Sequence, residues 1–249
     1  MKDRQRPTVL VVDDEIDTCQ NLADILSDLD YRVDTALNGQ AALDLIQTRS
    51  YDVALLDLKM PGMDGVSLYR RIRKISPSTV AIIVTAYASD RATHEALTAG
   101  AAQVLSKPVD LAALLPLVDE VAHQPLVLIV DDDESLCESL WDVLHERKLR
   151  VAIAHSEGDA MKSLDEQTYQ VVLVDLKLPG GDGRNILKLL RETHPDIRTV
   201  MITGHPEEFG DFVASAQKLG ADAACCKPFD MHSLLATVQR LTRRNGTGG

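Results

Sequence analysis

At 249 residues the chain has room for two average domains, each able to bury a core of its own. A formal charge of -12 and a pI near 5.0 exclude a protein that grips nucleic acid or anionic lipid through a basic face, and the short start MKDRQR does not reverse that balance. No apolar run is long enough to span a bilayer and no hydrophobic block marks a signal peptide, so neither a membrane nor a nucleic-acid partner is expected and the cytoplasm is the expected location.

In chain order, the first element is TVLVV, a strand that runs directly into Asp13 and Asp14. A segment with Leu22, Ile25, Leu26 and Leu29 at helical spacing follows and contains Cys19. The runs VDTAL, VALLD, AIIVTA and QVLS then alternate with longer amphipathic segments. Asp57 ends the third run and opens DLKMPGMDG, where proline and glycine force a loop. Thr85 ends the fourth run, and Lys107, followed by Pro108, ends the fifth. Pro116 lies inside the next helical segment, DLAALLPLVDEV, where the missing N–H should kink or delay the helix.

Near His123-Gln124-Pro125 the pattern restarts. LVLIV runs into Asp131 and Asp132, and a helical segment with Cys137, Leu140, Val143 and Leu144 follows. The runs VAIAH, VVLVD, TVMIT and AACC then place Asp175, Thr203 and Lys227 at the corresponding ends. The shift that carries Val9 to Val127 also carries Asp13 to Asp131, Cys19 to Cys137, Asp57 to Asp175 and Thr85 to Thr203. The Lys-Pro pairs need a shift two residues longer, so a loop-sized insertion lies between Thr203 and Gly220.

Short continuous apolar runs separated by helices indicate parallel strands covered on both faces. The expected fold class is therefore α/β, with two tandem (βα)5 doubly wound domains over residues 1–123 and 124–249. So short a junction should restrict how the halves reorient, and the tail TRRNGTGG, from about residue 243, should be disordered. The four cysteines show no metal-ligand spacing and are expected as reduced packing residues.

A doubly wound sheet binds its ligand beyond the carboxyl ends of its strands, which is where Asp13, Asp14, Asp57, Thr85 and Lys107 fall. Carboxylates packed so closely repel by about 1 kcal/mol per pair in water and about 4 kcal/mol at an effective dielectric of 20, so a cation must offset them. An all-oxygen donor set selects a hard ion, Mg²⁺. Three carboxylates, a divalent ion and the Lys107 ammonium then sum to zero, and a neutral pocket can receive a phosphoryl group. On this reading Asp57 on the central strand is the nucleophile, and Asp14 ligates the metal directly. Asp13 holds metal waters, and Thr85 and Lys107 donate to phosphoryl oxygens. The backbone carbonyl of Lys59 would face the metal while its side chain points elsewhere. The second copy repeats the set as Asp131, Asp132, Asp175, Lys177, Thr203 and Lys227.

The acid pairs, the DLKMPGMDG and DLKLPGGDG loops, the strand-ending threonines and the SKP and CKP turns together resemble receiver domains of bacterial two-component response regulators. The likeness covers about Thr8 to Ala122 and Pro125 to Thr242. It implies a flavodoxin-like fold and Mg²⁺-dependent phosphorylation of Asp57 and Asp175 by a phosphohistidine on a sensor histidine kinase or histidine phosphotransfer protein. It also implies cis peptides at Lys107-Pro108 and Lys227-Pro228 and places a homodimer among the expected partners.

The sequence departs from that pattern at Val104 and Ala224, where many receivers carry an aromatic ring that reports the threonine's movement, so neither domain has that readout. Tyr87 and His205, two residues after the threonines, are candidates for tuning phosphate lifetime. His94, His155, His194 and His232 read as ordinary surface or packing residues. The basic run RRIRK reads as a solvated helix face.

The expected function is a phospho-accepting signalling switch rather than an enzyme, its output by protein contact or by an effector outside these residues. Three alternatives stand beside it. The first is a fragment of a hybrid kinase or cyclase-type regulator; the second is an enzyme, either an aspartate-nucleophile phosphatase, which would want DxDx[TV] where Asp57 is followed by Leu58 and Lys59, or a nucleotide hydrolase, which would want a Gly-rich phosphate loop. The third is an interaction pair with degenerate pockets.

Overall fold

The computed structural model describes residues 6–86, 89–204 and 209–243. Tyr87, His205 and the glycine-rich tail lie outside the described residues. The chain divides into two compact units, Met1–Gln124 and Pro125–Gly249.

The first unit runs β1 (Thr8–Val12), α1 (Ile16–Asp28), β2 (Arg32–Ala36), α2 (Gly39–Thr48), β3 (Val53–Asp57), α3 (Gly65–Ile75), β4 (Val80–Thr85), α4 (Asp90–Thr98), β5 (Gln103–Ser106) and α5 (Leu111–Ala122). Its five strands are all parallel, in the order β2-β1-β3-β4-β5. The second unit begins β6 (Leu126–Val130), α6 (Glu134–His145), β7 (Arg150–Ala154), α7 (Glu157–Glu166) and β8 (Val171–Asp175). It continues β9 (Lys177–Leu178), β10 (Gly181–Asp182), α8 (Gly183–Thr193), β11 (Arg198–Thr203), α9 (Phe209–Lys218), β12 (Ala223–Cys226) and α10 (Met231–Arg243). Its main sheet has the equivalent order, β7-β6-β8-β11-β12.

Both units are thus doubly wound flavodoxin-like α/β sheets, as the apolar runs imply. The inner strands are buried and apolar along nearly all of their length because the sheet is covered twice, whereas the edge strands β2 (RVDTA) and β5 (QVLS) are only partly buried. In the first unit Leu10, Val12 and Leu56 point towards α2, α3 and α4, while Val9, Val11 and Leu55 point towards α1 and α5. In the second, Leu128, Val130 and Val174 meet α7, α8 and α9, and Val127, Ile129 and Leu173 meet α6 and α10. Each such side chain taken out of water contributes roughly 1.5–3 kcal/mol.

Helix starts are set by local chemistry. Asn38, Asp64, Ser89 and Asp110 accept backbone N–H bonds at the starts of α2 to α5, and Asp133, Ser156 and Asp182 do the same for α6, α7 and α8.

Two details differ from the sequence reading. Leu29 lies at helical spacing from Leu22 and Leu26, yet it forms the C-cap of α1 and is exposed, because the helix ends before its side chain can reach the core. Helix α5 starts at Leu111 and runs through Pro116, so the proline does not delay it. The Asp110 cap and the buried Leu114, Val118 and Val121 hold the helix together around it. Pro116 still removes one donor, to the Ala112 carbonyl. Pro116→Ala is therefore expected to stabilise the first domain by up to about 3 kcal/mol. A higher urea midpoint for that domain would show it; an unchanged midpoint would mean that the strain is relieved elsewhere.

Candidate functional site

The strand order places β1 beside β3, β3 beside β4 and β4 beside β5, so residues at or just past the carboxyl ends share one rim. Val12 registers with Leu56, Asp57 with Val84 and Thr85 with Ser106. Asp13 follows β1, Asp57 and Thr85 end β3 and β4, and Lys107 follows β5, its N–H donating to the Thr85 carbonyl at 2.8 Å. Lys107-Pro108 and Lys227-Pro228 are both cis.

Lys107 ties the rim together. Its ammonium donates to Asp13 Oδ2 at 2.6 Å and lies 3.1 Å from Asp57 Oδ1. The remaining oxygens are held by backbone: Glu15 N–H donates to Asp13 Oδ1 at 3.0 Å, and Lys59 N–H to Asp57 Oδ2 at 2.9 Å. Asp13, Asp57 and Thr85 are buried, whereas Asp14 and the Lys59 side chain are exposed.

The second unit repeats the arrangement. Lys227 meets Asp131 Oδ2 at 2.6 Å and also contacts Asp175 Oδ2. Asp133 N–H donates to Asp131 Oδ1 and Lys177 N–H to Asp175 Oδ1, each at 3.1 Å. Lys227 N–H donates to the Thr203 carbonyl at 2.7 Å. Asp131, Asp175 and Thr203 are buried, while Asp132 and the Lys177 side chain are exposed.

Burial pushes the Asp57 carboxyl above the usual aspartate range, and Lys107 only partly offsets it. Burial raises Asp131 in the same way against the opposing pull of Lys227. For both lysines burial opposes the charge, but the flanking carboxylates outweigh it and hold the ammonium above the usual lysine value. In each domain the lysine is thus held charged while burial works against one of the two carboxylates it bridges, Asp57 in the first and Asp131 in the second.

The pockets differ in how far their acids converge. Carboxylate oxygens of Asp131, Asp132 and Asp175 all lie within 4.8 Å of one another, the one such acidic group found among the described residues. Asp13, Asp14 and Asp57 do not close to that degree. The convergent set suits a hard divalent cation: every donor is oxygen, and the buried Asp131 Oδ2 has its ionic contact to Lys227 without an aligned hydrogen bond.

Three features escaped the sequence reading. Cys19 and Cys137 are free thiols whose Sγ donates at 3.4 Å to the carbonyls of Asp13 and Asp131, tying each α-helix to the first acid of its pair. Burial raises both thiols, Cys137 to about 12, which suits anchoring rather than nucleophilic chemistry. Their matching positions in the repeat were the available signal. His155, read as an ordinary residue, brings Nδ1 to 3.0 Å from the Asp131 carbonyl, so its ring nitrogen donates beside the pocket. Thirdly, the loop after Asp175 forms a short antiparallel pair, β9 with β10, in which Lys177 registers with Asp182.

The family model of the response regulator receiver domain matches residues 9–119 and again 127–239. A response regulator receiver protein of Anaeromyxobacter sp. strain Fw109-5 is 34% identical over 237 residues, spanning 95% of this chain and 96% of the relative. The transcriptional regulatory protein ZraR of Klebsiella oxytoca is 40% identical over 119 residues, 47% of this chain, which spans only 27% of that longer protein. Among solved structures, a CheY-like receiver domain protein of Methanospirillum hungatei is 31% identical, covering 47% of this chain and 94% of that one, with a TM-score of 0.46.

Proposed function

The chain belongs to the response regulator receiver family, as two receiver domains in tandem, and from that premise we propose that Asp57 and Asp175 accept phosphoryl groups from a phosphohistidine on a partner kinase or phosphotransfer protein. The observation that carries the proposal is the lysine that bridges two buried carboxylates at the strand ends of both domains, at 2.6 and 3.1 Å in the first. A charge arrangement that burial penalises so heavily is retained twice.

In the reaction a carboxylate oxygen of Asp57 attacks phosphorus, the phosphorus–nitrogen bond to the partner's imidazole breaks, and the released imidazole keeps the electron pair and takes up a proton. Lys59 N–H fixes the other Asp57 oxygen, which selects the attacking atom. Lys107 is placed to neutralise the incoming phosphoryl oxygens, and Thr85 to donate its hydroxyl to them. Asp175, Lys177, Lys227 and Thr203 take the same parts in the second domain. Asp13, Asp14 and the Lys59 carbonyl would hold Mg²⁺, as would Asp131, Asp132 and the Lys177 carbonyl; the ion supplies charge neutralisation for phosphoryl oxygens. Tyr87 and His205 flank the two sites in sequence and are assigned to phosphate lifetime.

The chain then acts as a phosphoacceptor switch in the cytoplasm, over domains of residues 1–123 and 124–249, with output by contact with another protein, a second copy included, or through an effector outside this chain. No helix among the described residues is long and apolar enough to cross a membrane. Neither domain carries the aromatic readout: Val104 and Ala224 pack against the cores instead.

Intact mass after incubation with a small acyl phosphate tests the proposal. Two phosphoryl increments are expected with Mg²⁺ and none with chelator. Asp57→Asn and Asp175→Asn should each remove one increment, and the double variant both. An unmodified wild-type chain would end the proposal.

A further inference from the structure

Equivalent positions in the two domains fill one gap from opposite sides. In the first domain Met63, from the loop after Asp57, lies over Gly39 at the start of α2. A Cβ on Gly39 would come within 3.0 Å of Met63 Sδ and 3.2 Å of its Cβ. The residues that correspond under the repeat are Glu157 and Gly181. Here the helix supplies the side chain: a Cβ on Gly181 would lie 2.9 Å from Glu157 Cβ and would overlap its Oε2. The loop has lost its methionine, and the helix has gained a carboxylate.

Glu157 does more than fill space. Its Oε2 accepts from Asp182 N–H at 3.1 Å and from Asn185 Nδ2 at 3.3 Å, so it holds β10 and the first turn of α8 together. Asp182 registers with Lys177 in the β9–β10 pair, and Lys177 N–H donates to Asp175 Oδ1. A continuous chain of contacts therefore runs from Glu157 through the loop to the acceptor carboxylate. In the first domain the same junction is an apolar contact, with Met63 packed against the core.

We propose that Glu157 is a positioning residue for the Asp175 site, a polar latch on the loop after the acceptor that replaces the Met63–Gly39 contact of the first domain. The inference rests on Asp175 being a phosphoacceptor. Removing such an outer support should slow phosphoryl acceptance at Asp175 by about tenfold or more, leaving Asp57 unaffected.

The test uses the full chain with four substitutions: Glu157→Gly, Glu157→Gln, Gly181→Met and the reciprocal pair Glu157→Gly with Gly181→Met. Two readouts are taken: the rate of phosphoryl incorporation at each aspartate from an acyl phosphate, and amide hydrogen exchange over residues 177–183. Glu157→Gly should slow incorporation at Asp175 and speed loop exchange. Glu157→Gln keeps a carbonyl acceptor and should stay near wild type. Gly181→Met alone collides with Glu157 and should loosen the loop. The reciprocal pair rebuilds the first domain's contact and should recover both readouts, a non-additivity that plain loss of stability would not give. Wild-type rates at Asp175 in Glu157→Gly, or no recovery in the pair, overturns the latch. A wild-type chain that never modifies Asp175 overturns the phosphoacceptor reading instead.

Discussion

Alanine at Gly65 is expected to abolish phosphoryl acceptance at Asp57 and to cost the first domain about 1–3 kcal/mol, while Asp175 continues to react. Gly65 opens α3, and its N–H donates to the Leu58 carbonyl at 2.9 Å, which folds the start of the helix back against the end of β3. A Cβ there would overlap the Asp57 carbonyl oxygen and lie 3.1 Å from both the Asp57 carbonyl carbon and Leu58 Cα. All three are backbone atoms of Asp57 or its neighbour, so no side-chain rotation relieves the clash. Either α3 lifts away or Asp57 moves, and Lys59 N–H cannot then keep its bond to the carboxylate. Gly183 makes the same approach to Asp175, with a Cβ 3.1 Å from its carbonyl carbon and 2.8 Å from Val174 Cγ1, so Gly183→Ala should mirror the effect in the second domain.

The neighbouring glycines serve a different purpose. Gly62 and Gly180 have φ of +82 and +67 and meet nothing where a Cβ would stand, so alanine there strains the turn without pushing on the aspartate. Gly62→Ala should therefore lower stability yet leave Asp57 reactive. Urea unfolding together with intact mass separates the two cases. Full acceptance in Gly65→Ala would mean that the helix yields without moving Asp57.

The apolar runs gave away the strands because both faces of each sheet are buried, and a run cannot stay apolar for five residues on a half-exposed strand. Their ends lie within a residue or so of those observed, and the residue after a strand end falls on the rim by topology alone. That is why Asp13, Asp57 and Lys107 were legible as neighbours. Contacts that depend on rotamers or cross between loops leave no periodic trace. The bond from Lys107 to Asp13 as well as Asp57, the tighter convergence of acids around Asp131 and the reach of Glu157 to Asp182 belong to this class. The β9–β10 pair escaped for a related reason: DLKLPGGDG differs from DLKMPGMDG at only two positions, and the turn residues are the same in both. The exchange of Met63 for Gly181 was visible as a difference, but its meaning appears only beside the reverse exchange at Gly39 and Glu157.

Removing the bridging cation should have the largest effect on stability. Lys107→Ala leaves Asp13 and Asp57 buried, facing one another's charge, with Asp13 Oδ2 and Asp57 Oδ1 both robbed of a partner only 2.6 and 3.1 Å away. Breaking a buried pair from one side costs about 3 kcal/mol, and this change breaks two contacts at once. The pH dependence follows from Asp57. Burial already holds its folded pKa above the ordinary 3.8, and Lys107 is the main opposing influence, so its loss raises that pKa further. A carboxyl with a raised folded pKa favours the folded state while protonated, and that contribution is lost as pH rises through the folded value. The deficit of Lys107→Ala against wild type should therefore be greatest at neutral pH and should shrink as pH falls through the raised Asp57 pKa towards 3.8. A divalent cation should narrow the same gap at neutral pH, since the variant pocket carries one more uncompensated negative charge and binding to the folded state alone stabilises it. Urea midpoints in chelator and in Mg²⁺, each at several pH values, measure both trends. A deficit independent of pH and of Mg²⁺ would mean that Lys107 contributes packing rather than charge, and the electrostatic account of the pocket would fall with it.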